Sequence, residues 1–431
     1  MAERAEERGW RVYLVGGYVR DLLLGRPNDD VDVAVEGGAI DLANALQSHA
    51  EAKIDTADRF GTAHLTLGPG LPDIDLVTAR RERYLSPGAL PTVEPGTIDD
   101  DLARRDFTIN ALSIPVISGR WPVVSDQGGR QTLTHERSEG SWPLTTESML
   151  DPHGGLRDLQ AGLIRVLHPN SFVDDPTRIP RAVKYAERLG FKIEPETFEL
   201  ILRAVRDGAI ATVSTDRMVR ELLLIMEEER APAMLARLED LGVLRAIHPD
   251  LGWPYDKDSP TVDIRSESTS PAQRRDAYLA ILGAEYAGAG EAGATEAEAL
   301  ARALGLNARH VRLMRDAATL AGLWPRLGEE GLRPSQVYNL LRGLDVNTLH
   351  AFTRISALAS DDVAWRNLHA YLDHYRHVKP LLDGAYLKEL GVEPGPIYSR
   401  ILGELREAKL DGQLPEREDE ERFVGEVLNK T

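Results

Sequence analysis

The most regular alternation of hydrophobic and polar positions lies near the N-terminus, in residues 12–35. A short apolar run ends at the pair Gly16 and Gly17, and apolar residues then recur at helical spacing over residues 18–24. After a polar turn, residues 30–35 alternate acidic side chains with valine. This order predicts a strand, a glycine turn, a short helix and a second strand.

The second strand brings two carboxylates together. Side chains two residues apart share one face of a strand, so Asp30 and Asp32 point the same way. A divalent cation relieves the repulsion between them, and Mg²⁺ commonly binds one or two carboxylates together with substrate phosphates. The glycine pair leaves backbone N–H groups free at a helix start, where Arg20 can face the same phosphates. Either piece alone is common, whereas the combination in this order indicates a nucleotide site.

Three further segments follow before residue 98. Residues 39–49 have the periodicity of an amphipathic helix, and residues 64–67 and 74–77 resemble two strands joined by a Gly/Pro turn. Asp75 on the second of these is a candidate third carboxylate that would help to activate a hydroxyl nucleophile; an exposed acid on an edge strand is the alternative. Residues 84–98 are rich in proline and lack periodicity, which predicts a long loop, either functional or disordered.

Residues 98–116 combine apolar positions suited to burial with a dense cluster of charges. Within it, Arg104 and Arg105 supply planar guanidinium groups that match phosphate oxygens. Asp106 can orient an arginine, and Asn110 can bond a ribose hydroxyl. The alternative is a charged helix face in solvent. The Gly-, Ser- and Thr-containing residues 118–150 predict a hairpin or an insertion.

These segments resemble a known family. LVGGYVRDLLLG followed by DVDV, and later DLARRDFTINAL, are similar in the same order to the head motifs of the class II tRNA nucleotidyltransferases (CCA-adding enzymes) and bacterial poly(A) polymerases, in the DNA polymerase beta superfamily. DPHGG, which begins at Asp151, resembles the family's link between the catalytic head and a helical neck; a turn-capping aspartate is the alternative. The family segment that matches residues 84–98 is a mobile loop near the active site.

The resemblance implies in-line phosphoryl transfer, with two Mg²⁺ ions roughly 3.5–4 Å apart between Asp30, Asp32 and a nucleoside triphosphate. One ion would lower the pKa of the hydroxyl nucleophile, and the other would neutralise the leaving pyrophosphate. Asp75 would complete the catalytic set. The nucleotide-binding positions that the head motifs imply are Gly16, Gly17, Arg20, Asp21, Arg104, Arg105, Asp106, Asn110 and Asp151.

Residues 167–191 resemble a base-recognition motif of the same family, in which Asp175, Arg178 and Arg181 match the motif's aspartate and arginines. Residues three apart on a helix are neighbours, so Asp175 and Arg178 can present one edge that carries both an acceptor and a donor. Such an edge matches cytosine and adenine and mismatches uracil and guanine, which is worth about 1–3 kcal/mol of discrimination. Bases would then be selected without a nucleic-acid template.

Two features of this stretch leave its geometry open. Asp175 precedes Pro176, a pair typical of a helix cap and first helical position, so capping is the alternative role for the carboxylate. Pro180 would fall inside the predicted helix, where proline bends the helix or shifts its start. Asp174 also stands where the family usually has glutamate.

The C-terminal half is predicted to be helical. Helical patterns recur at residues 214–230, 231–241, 274–282, 296–304, 307–323, 334–342, 345–358, 362–375 and 398–409. Residues 255–270 are linker-like, residues 283–295 are predicted to be flexible, and residues 416–421 to form an acidic tail. Residues 381–405 resemble the family's tail segment, whose Gly/Pro turn could hold an RNA phosphate; a packing turn is the alternative.

Composition bounds these hypotheses. A chain of 431 residues that is 42% hydrophobic and 28% charged is typical of a soluble globular protein with two to four domains. No apolar run approaches the length of a membrane span, the charged N-terminus is unlike a signal peptide, and the absence of cysteine excludes disulfides and fits the cytoplasm. The net charge of −18 argues against a generic nucleic-acid binder, so an RNA ligand requires a local basic face.

We therefore predict an α+β protein. A small mixed-sheet nucleotidyltransferase head (1–150) precedes a helical neck with the base-recognition motif (151–213), a helical body (214–375) and a helical tail that contacts tRNA (376–431). The predicted activity is Mg²⁺-dependent addition of C and A from CTP and ATP to the tRNA 3′ end. The alternatives are a CC-only or A-only adding enzyme, a poly(A) polymerase, or an inactive RNA-binding relative. The sequence does not determine the oligomeric state.

Overall fold

The computed structural model describes residues 1–47, 53–57, 61–68, 72–117, 124–127, 130–133, 149–256, 264, 269–289, 291–355 and 362–429. The chain divides into two compact units. The first comprises Met1–Glu221 with Leu241–Ile247, and the second comprises Leu222–Asp240 with His248–Thr431. The finer division into head, neck, body and tail stays a prediction.

The strands lie in the first unit. They are β1 (Arg11–Val15), β2 (Asp30–Glu36), β3 (Lys53–Ala57), β4 (Thr62–Thr66), β5 (Asp73–Thr78), β6 (Arg80–Arg83), β7 (Thr92–Pro95), β8 (Ser113–Pro115), β9 (Val124–Gln127), β10 (Arg130–Leu133), β11 (Leu163–Ile164) and β12 (Lys192–Ile193). Six of them form a mixed sheet in the order β3-β4-β5-β2-β1-β8, in which only β2 and β5 pair in parallel. Because β2 is central, its valines are buried on the sheet, and Val33 and Val35 are almost inaccessible to solvent.

The helices up to residue 247 are α1 (Ala2–Glu6), α2 (Gly16–Leu23), α3 (Ala39–Gln47), α4 (Ile98–Ala103), α5 (Gly155–Ala161), α6 (Ser171–Asp174), α7 (Arg178–Leu189), α8 (Pro195–Arg206), α9 (Thr215–Met226), α10 (Ala231–Asp240) and α11 (Val243–Ile247). The strand–helix–strand order predicted for residues 12–35 is confirmed by β1, α2 and β2. Helix α4 begins with a complete capping box between Thr97 and Asp100, which explains its sharp start after the preceding prolines.

The second unit is helical, as predicted. Its later helices are α12 (Pro271–Ala284), α13 (Glu291–Ala303), α14 (Ala308–Leu327), α15 (Pro334–Leu341), α16 (Val346–Phe352), α17 (Asp362–Asp373), α18 (Gly384–Glu389), α19 (Pro396–Leu410) and α20 (Arg417–Asn429). Helix α12 packs closely on α14 at Gly283, where a Cβ atom would lie 2.9 Å from the Cα of Met314. Among the described residues, no helix is both long enough and apolar enough to cross a bilayer.

Two predictions about irregular segments are wrong, those for residues 84–98 and 416–421. Residues 84–98 are not one loop, because β7 pairs with β6 and α4 begins at Ile98. Residues 283–295 include the end of α12 at Ala284 and the start of α13 at Glu291, and their flexibility stays a prediction. Residues 416–421 open α20, in which fully buried Glu420 accepts hydrogen bonds from the backbone N–H groups of Leu381 and Leu382 at 2.8 and 2.9 Å.

Two other segments lie partly outside the described residues. The hairpin predicted within residues 118–150 is confirmed by the antiparallel pair β9 and β10. The rest of 118–148 falls outside the described part of the chain, as do residues 257–263 and 265–268 of the predicted linker.

Candidate active site

A cleft of about 910 Å³ in the first unit brings together most of the residues that the sequence singles out. Its lining includes Gly17, Arg20, Asp21, Asp30, Asp32, Arg104, Arg105, Asp106, Asn110, Asp175, Arg178 and Arg181. Ten arginines and seven carboxylates line this cleft, so it is locally basic within a chain of net charge −18. The compositional objection to a phosphate-bearing ligand therefore does not apply to this surface.

The two acids of β2 lie at this cleft as predicted. Asp32 is mostly buried, and burial together with the charges of Asp30 and Asp75 raises its pKa to about 6, although the Arg105 guanidinium acts in the opposite direction. Burial and the charge of Asp75 also raise the pKa of Asp30. The carboxylates therefore crowd one another in a partly desolvated place, which is the electrostatic condition that a bound cation would relieve.

Asp75 lies beside these acids but does not line the cleft. It is in register with Asp32 on the neighbouring strand β5, which lies inside the sheet, so the edge-strand alternative is wrong. Its Oδ1 is 2.6 Å from Nδ1 of His64 on β4, and this contact is the main reason why the pKa of His64 is raised. Sequence reasoning missed the role of His64, because only the β4–β5 register places it opposite Asp75.

The carboxylate oxygens of Asp30 and Asp32 on β2 fit a Mg²⁺ ion that the protein and its phosphate-bearing substrate bind together. Within the described part of the chain, no group of three or more His, Cys, Asp or Glu side chains could hold a metal by itself. Two carboxylates on one strand face, with raised pKa values, supply the protein share of a Mg²⁺ shell that phosphates and water complete.

The glycine pair behaves differently from the prediction at one of its two positions. The N–H of Gly16 is not free, because it donates to the Leu112 carbonyl at 3.2 Å. Gly16 has φ +68°, and a Cβ there would overlap the Arg105 guanidinium and approach the Asp32 carboxylate. Gly16 therefore permits the close approach of Arg105 to Asp32, while Gly17 lines the cleft.

Arg20 is buried and held from two directions. Its guanidinium pairs with Asp21 at 2.8 and 2.9 Å and donates to Asn110 Oδ1 at 2.7 Å. It also lies 5.1 Å from the ring centroid of Tyr185, a cation–π distance. The side chain is consequently preorganised at the cleft wall.

A fully buried carboxylate anchors the two neighbouring arginines. Asp101 accepts from Arg104 at 2.6 Å and from Arg105 at 2.9 Å, and Arg104 also donates to Glu82 at 3.2 Å. Sequence reasoning missed both acids. The signal for Asp101 is its position three and four residues before the arginines, the spacing at which helical side chains meet.

Asp106 does orient an arginine, and that arginine is Arg181. Burial alone would raise the pKa of Asp106, but the charge of Arg181 and the hydrogen bond from Asn110 outweigh it and lower the pKa to about 2. Arg181 Nε donates to Asp106 Oδ2 at 2.9 Å, and Asn110 Nδ2 donates to Oδ1 at 2.9 Å. This set joins the head motif to α7 across 75 residues.

The predicted helical pairing of Asp175 with Arg178 is wrong. Helix α7 begins at Arg178, so Asp175 precedes it and accepts instead from the Thr177 N–H at 3.1 Å. Pro180 lies in the first turn, where no intrahelical hydrogen bond is lost, so it shifts the start of the helix rather than bending it. Arg178 donates to Ser171 Oγ at 2.7 Å and to the Arg104 carbonyl at 3.0 Å. Both side chains still face the cleft, but separate contacts hold them.

Asp151 lies apart from the cleft lining. Its two carboxylate oxygens accept from the N–H groups of Gly155 and Leu156, at 2.6 and 3.0 Å, at the start of α5. The structure thus places it as the turn-capping aspartate of the alternative interpretation.

A mixed-sheet head with paired acids on its central strand, facing an arginine-lined cleft, defines the nucleotidyltransferase class. Residues 12–137 match the family model described as the poly A polymerase head domain. Residues 190–253 match a second model, described as the probable RNA and SrmB-binding site of polymerase A.

Named relatives agree with this class. An A-adding tRNA nucleotidyltransferase from Geobacter sulfurreducens is 33% identical over 96% of this chain, which spans only 44% of that relative's length. One of the same name from Halalkalibacterium halodurans is 30% identical over 100% of this chain and 91% of its own. A CC-adding tRNA nucleotidyltransferase from Deinococcus radiodurans is 33% identical over 78% of this chain and 79% of its own.

Solved structures give the same result. CCA-adding enzyme in complex with ATP and in complex with CTP superposes with TM-scores of 0.67 and 0.65, at 28% identity, over 100% of this chain and 92% of each structure. The Thermotoga maritima CCA-adding enzyme complexed with tRNA gives 0.64 at 27% identity over 99% of this chain and 93% of that structure. This chain belongs to the tRNA nucleotidyltransferase and poly(A) polymerase family.

Proposed function

We propose that this protein adds C and A from CTP and ATP to the 3′ end of tRNA, with release of pyrophosphate. The observation that carries the proposal is the Asp30–Asp32 pair on β2, which faces a cleft lined by arginines. Acids alone would repel a triphosphate, and arginines alone would bind one without activating it. Their combination supports transfer chemistry on a nucleotide.

Each group has a distinct task in the proposed reaction. Mg²⁺, when held by Asp30 and Asp32, would neutralise triphosphate charge and lower the pKa of the attacking hydroxyl. Arg104 and Arg105, fixed by Asp101, hold phosphate oxygens in the in-line geometry that phosphoryl transfer needs. Asp75 supports the negative potential at which the cation binds.

Base selection is assigned to Asp175, which precedes α7, and to Arg178, the first residue of α7. The Asp175 carboxylate only accepts hydrogen bonds, and within the described part of the chain the Arg178 guanidinium donates to two acceptors, Ser171 Oγ and the Arg104 carbonyl. The carboxylate can accept a hydrogen bond from the amine of cytosine or adenine, and the guanidinium can donate one to the ring nitrogen. Uracil and guanine have donor and acceptor reversed at these positions, so they do not match the pair. We also assign RNA contact to the predicted tail (376–431), where α19 begins at Pro396 after the Gly/Pro turn.

An A-only adding enzyme is the second candidate. The specific observation in its favour is that the two relatives described above from Geobacter sulfurreducens and Halalkalibacterium halodurans, which match 96% and 100% of this chain, are named A-adding tRNA nucleotidyltransferases. The head motifs serve either activity, since the acids and arginines act on the triphosphate and not on the base.

One assay tests the proposal and separates the candidates. tRNA transcripts that end at the discriminator base, at C and at CC are incubated with Mg²⁺ and each labelled nucleoside triphosphate. CCA addition predicts growth of all three, whereas A-only addition predicts growth of the CC transcript with ATP alone. Asp30→Asn and Asp32→Asn should each lower the rate on the order of 10³-fold. Absence of incorporation by the unmodified protein on every transcript would refute the proposal.

A further inference from the structure

The carboxylate of Asp175 is used unequally. Its Oδ1 accepts from the Thr177 N–H at 3.1 Å, from Thr177 Oγ1 at 2.7 Å and from Arg217 Nη2 at 3.0 Å. Among the described residues, no hydrogen bond to its Oδ2 is formed. Three donors saturate one oxygen and fix the plane of the carboxylate, so Oδ2 is the acceptor left for a ligand at the cleft.

Arg217, at the start of α9, divides its guanidinium between two acceptors. Nη2 holds Asp175, and Nη1 donates to the carbonyl oxygen of Gly88 at 3.0 Å. The N–H of Gly88 in turn donates to the carbonyl oxygen of Asp174 at 3.2 Å. The segment 84–91 is therefore held in place at Gly88, which hydrogen-bonds both to Asp174 and to Arg217.

Only glycine fits at this fastening point. Gly88 has φ +68°, a backbone conformation that side chains disfavour, and a Cβ would lie 2.7 Å from the carbonyl carbon of Thr212. Any side chain at position 88 would have to move the segment away from Thr212. Tyr84, Leu90 and Pro91 of the same segment line the cleft, so its position also shapes the space beside a bound nucleotide.

We propose that Arg217 is a positioning residue for base selection, and that the carbonyl oxygen of Gly88 holds the Arg217 guanidinium in place. This inference rests on the proposed function. Arg217 aims Oδ2 of Asp175 at the exocyclic amine of the incoming base, and the docked segment 84–91 keeps Arg217 from rotating away. A lysine could hold one of the two acceptors but could not span both, because its ammonium lacks the planar fork of arginine.

Two variants each change one partner of the hydrogen bond between Arg217 and Gly88. Arg217→Lys keeps the positive charge and removes the fork, whereas Gly88→Ala keeps Arg217 and displaces its second acceptor. Matched controls are Arg206→Lys, an exposed arginine, and Gly331→Ala, a glycine at φ +78° with open space around it. The readouts are kcat/KM for CTP, ATP, UTP and GTP on the three tRNA transcripts, and equilibrium binding of each nucleotide without tRNA.

We expect both variants to lower the preference for CTP and ATP over UTP and GTP by about 5- to 100-fold, the range of one lost bidentate recognition. The loss should fall on the favoured nucleotides, while binding of UTP and GTP changes less than about twofold. The double variant should lose no more than the stronger single variant, because both changes release the same contact.

The outcomes separate this inference from the proposed function. Preference retained by both folded variants, or a uniform loss across all four nucleotides, overturns the role of Arg217. If the unmodified protein transfers nothing to tRNA, the proposed function fails. The preference among the four nucleotides in equilibrium binding still tests the roles of Arg217 and Gly88. Thermal melts identify unfolding. Equal loss of preference in Arg217→Lys and Arg217→Ala would support a geometric role for the guanidinium, whereas preference retained in Arg217→Lys would overturn it.

Discussion

Replacing Asp32 by Asn should stabilise the metal-free protein while lowering the rate of transfer on the order of 10³-fold. Asp32 has a pKa of about 6 in the folded protein against an ordinary value of 3.8, because burial and the neighbouring acids disfavour its charge. The folded state therefore holds the proton more tightly than the unfolded state. The contribution to stability is present below about pH 4 and is lost as the pH rises through 6.

The size of the expected stabilisation follows from the change in the pKa of Asp32 on folding. A difference of about two pKa units corresponds to about 3 kcal/mol, which is an upper bound because Asp32 is not completely buried. Asn keeps the shape of the side chain and removes the charge, so the gain should appear above pH 6 and vanish near pH 4. For a unit of this size, 1 kcal/mol moves the melting temperature by about 2–4 °C, so a rise of up to about 10 °C is expected.

Calorimetry at pH 4, 6 and 7.5 in the presence of a chelator measures the difference directly. Asp55→Asn, an exposed acid on the same sheet, is the control and should show no such pH-dependent gain. Added Mg²⁺ should stabilise the unmodified protein with nucleotide bound, and should do so much less for Asp32→Asn. A variant that is less stable than the unmodified protein at pH 7.5, or whose difference does not depend on pH, would refute the electrostatic reasoning.

Three further outcomes are expected. Asp106→Asn should lower the free energy of unfolding by about 2 kcal/mol near neutral pH, because the pKa of Asp106 is lowered to about 2 in the folded protein. This stabilisation is present above pH 4 and is lost as the pH falls toward 2, so urea unfolding of the unmodified protein that shows no such loss would contradict the prediction. Asp101→Asn should weaken nucleotide binding about tenfold by releasing the two arginines that it anchors, measured by ATP titration, and unchanged affinity would contradict it. Asp151→Ala should lower stability by about 1 kcal/mol with kcat/KM nearly unchanged, and a large loss of nucleotide affinity would show that the residue binds ligand instead.

Local periodicity was sufficient for the elements whose own residues carry the signal. The valine alternation of β2 and the apolar spacing of α2 place both elements correctly, because each is stabilised by burial of its own pattern. The pairing of β6 with β7 could not be predicted in this way. Arg80–Arg83 has no hydrophobic alternation, and its strand conformation depends on a partner nine or more residues away.

The irregular segments failed for a related reason. Acidic residues 416–421 resemble a solvated tail, yet Glu420 is buried because two backbone N–H groups and Lys409 satisfy it. A charged residue can be buried only when its partners are supplied, and those partners lie far away in the sequence.

The sequence by itself determined the residue types of the site and the strand that carries the paired acids, because side-chain direction in a strand follows from its two-residue period. The tertiary structure decided which groups hold which. Arg181 pairs with Asp106, 75 residues away, and Asp175 with Arg217, 42 residues away, because the fold brings these distant segments together. Hydrogen bonds of this kind depend on the mutual approach of distant segments, and no local pattern encodes that distance.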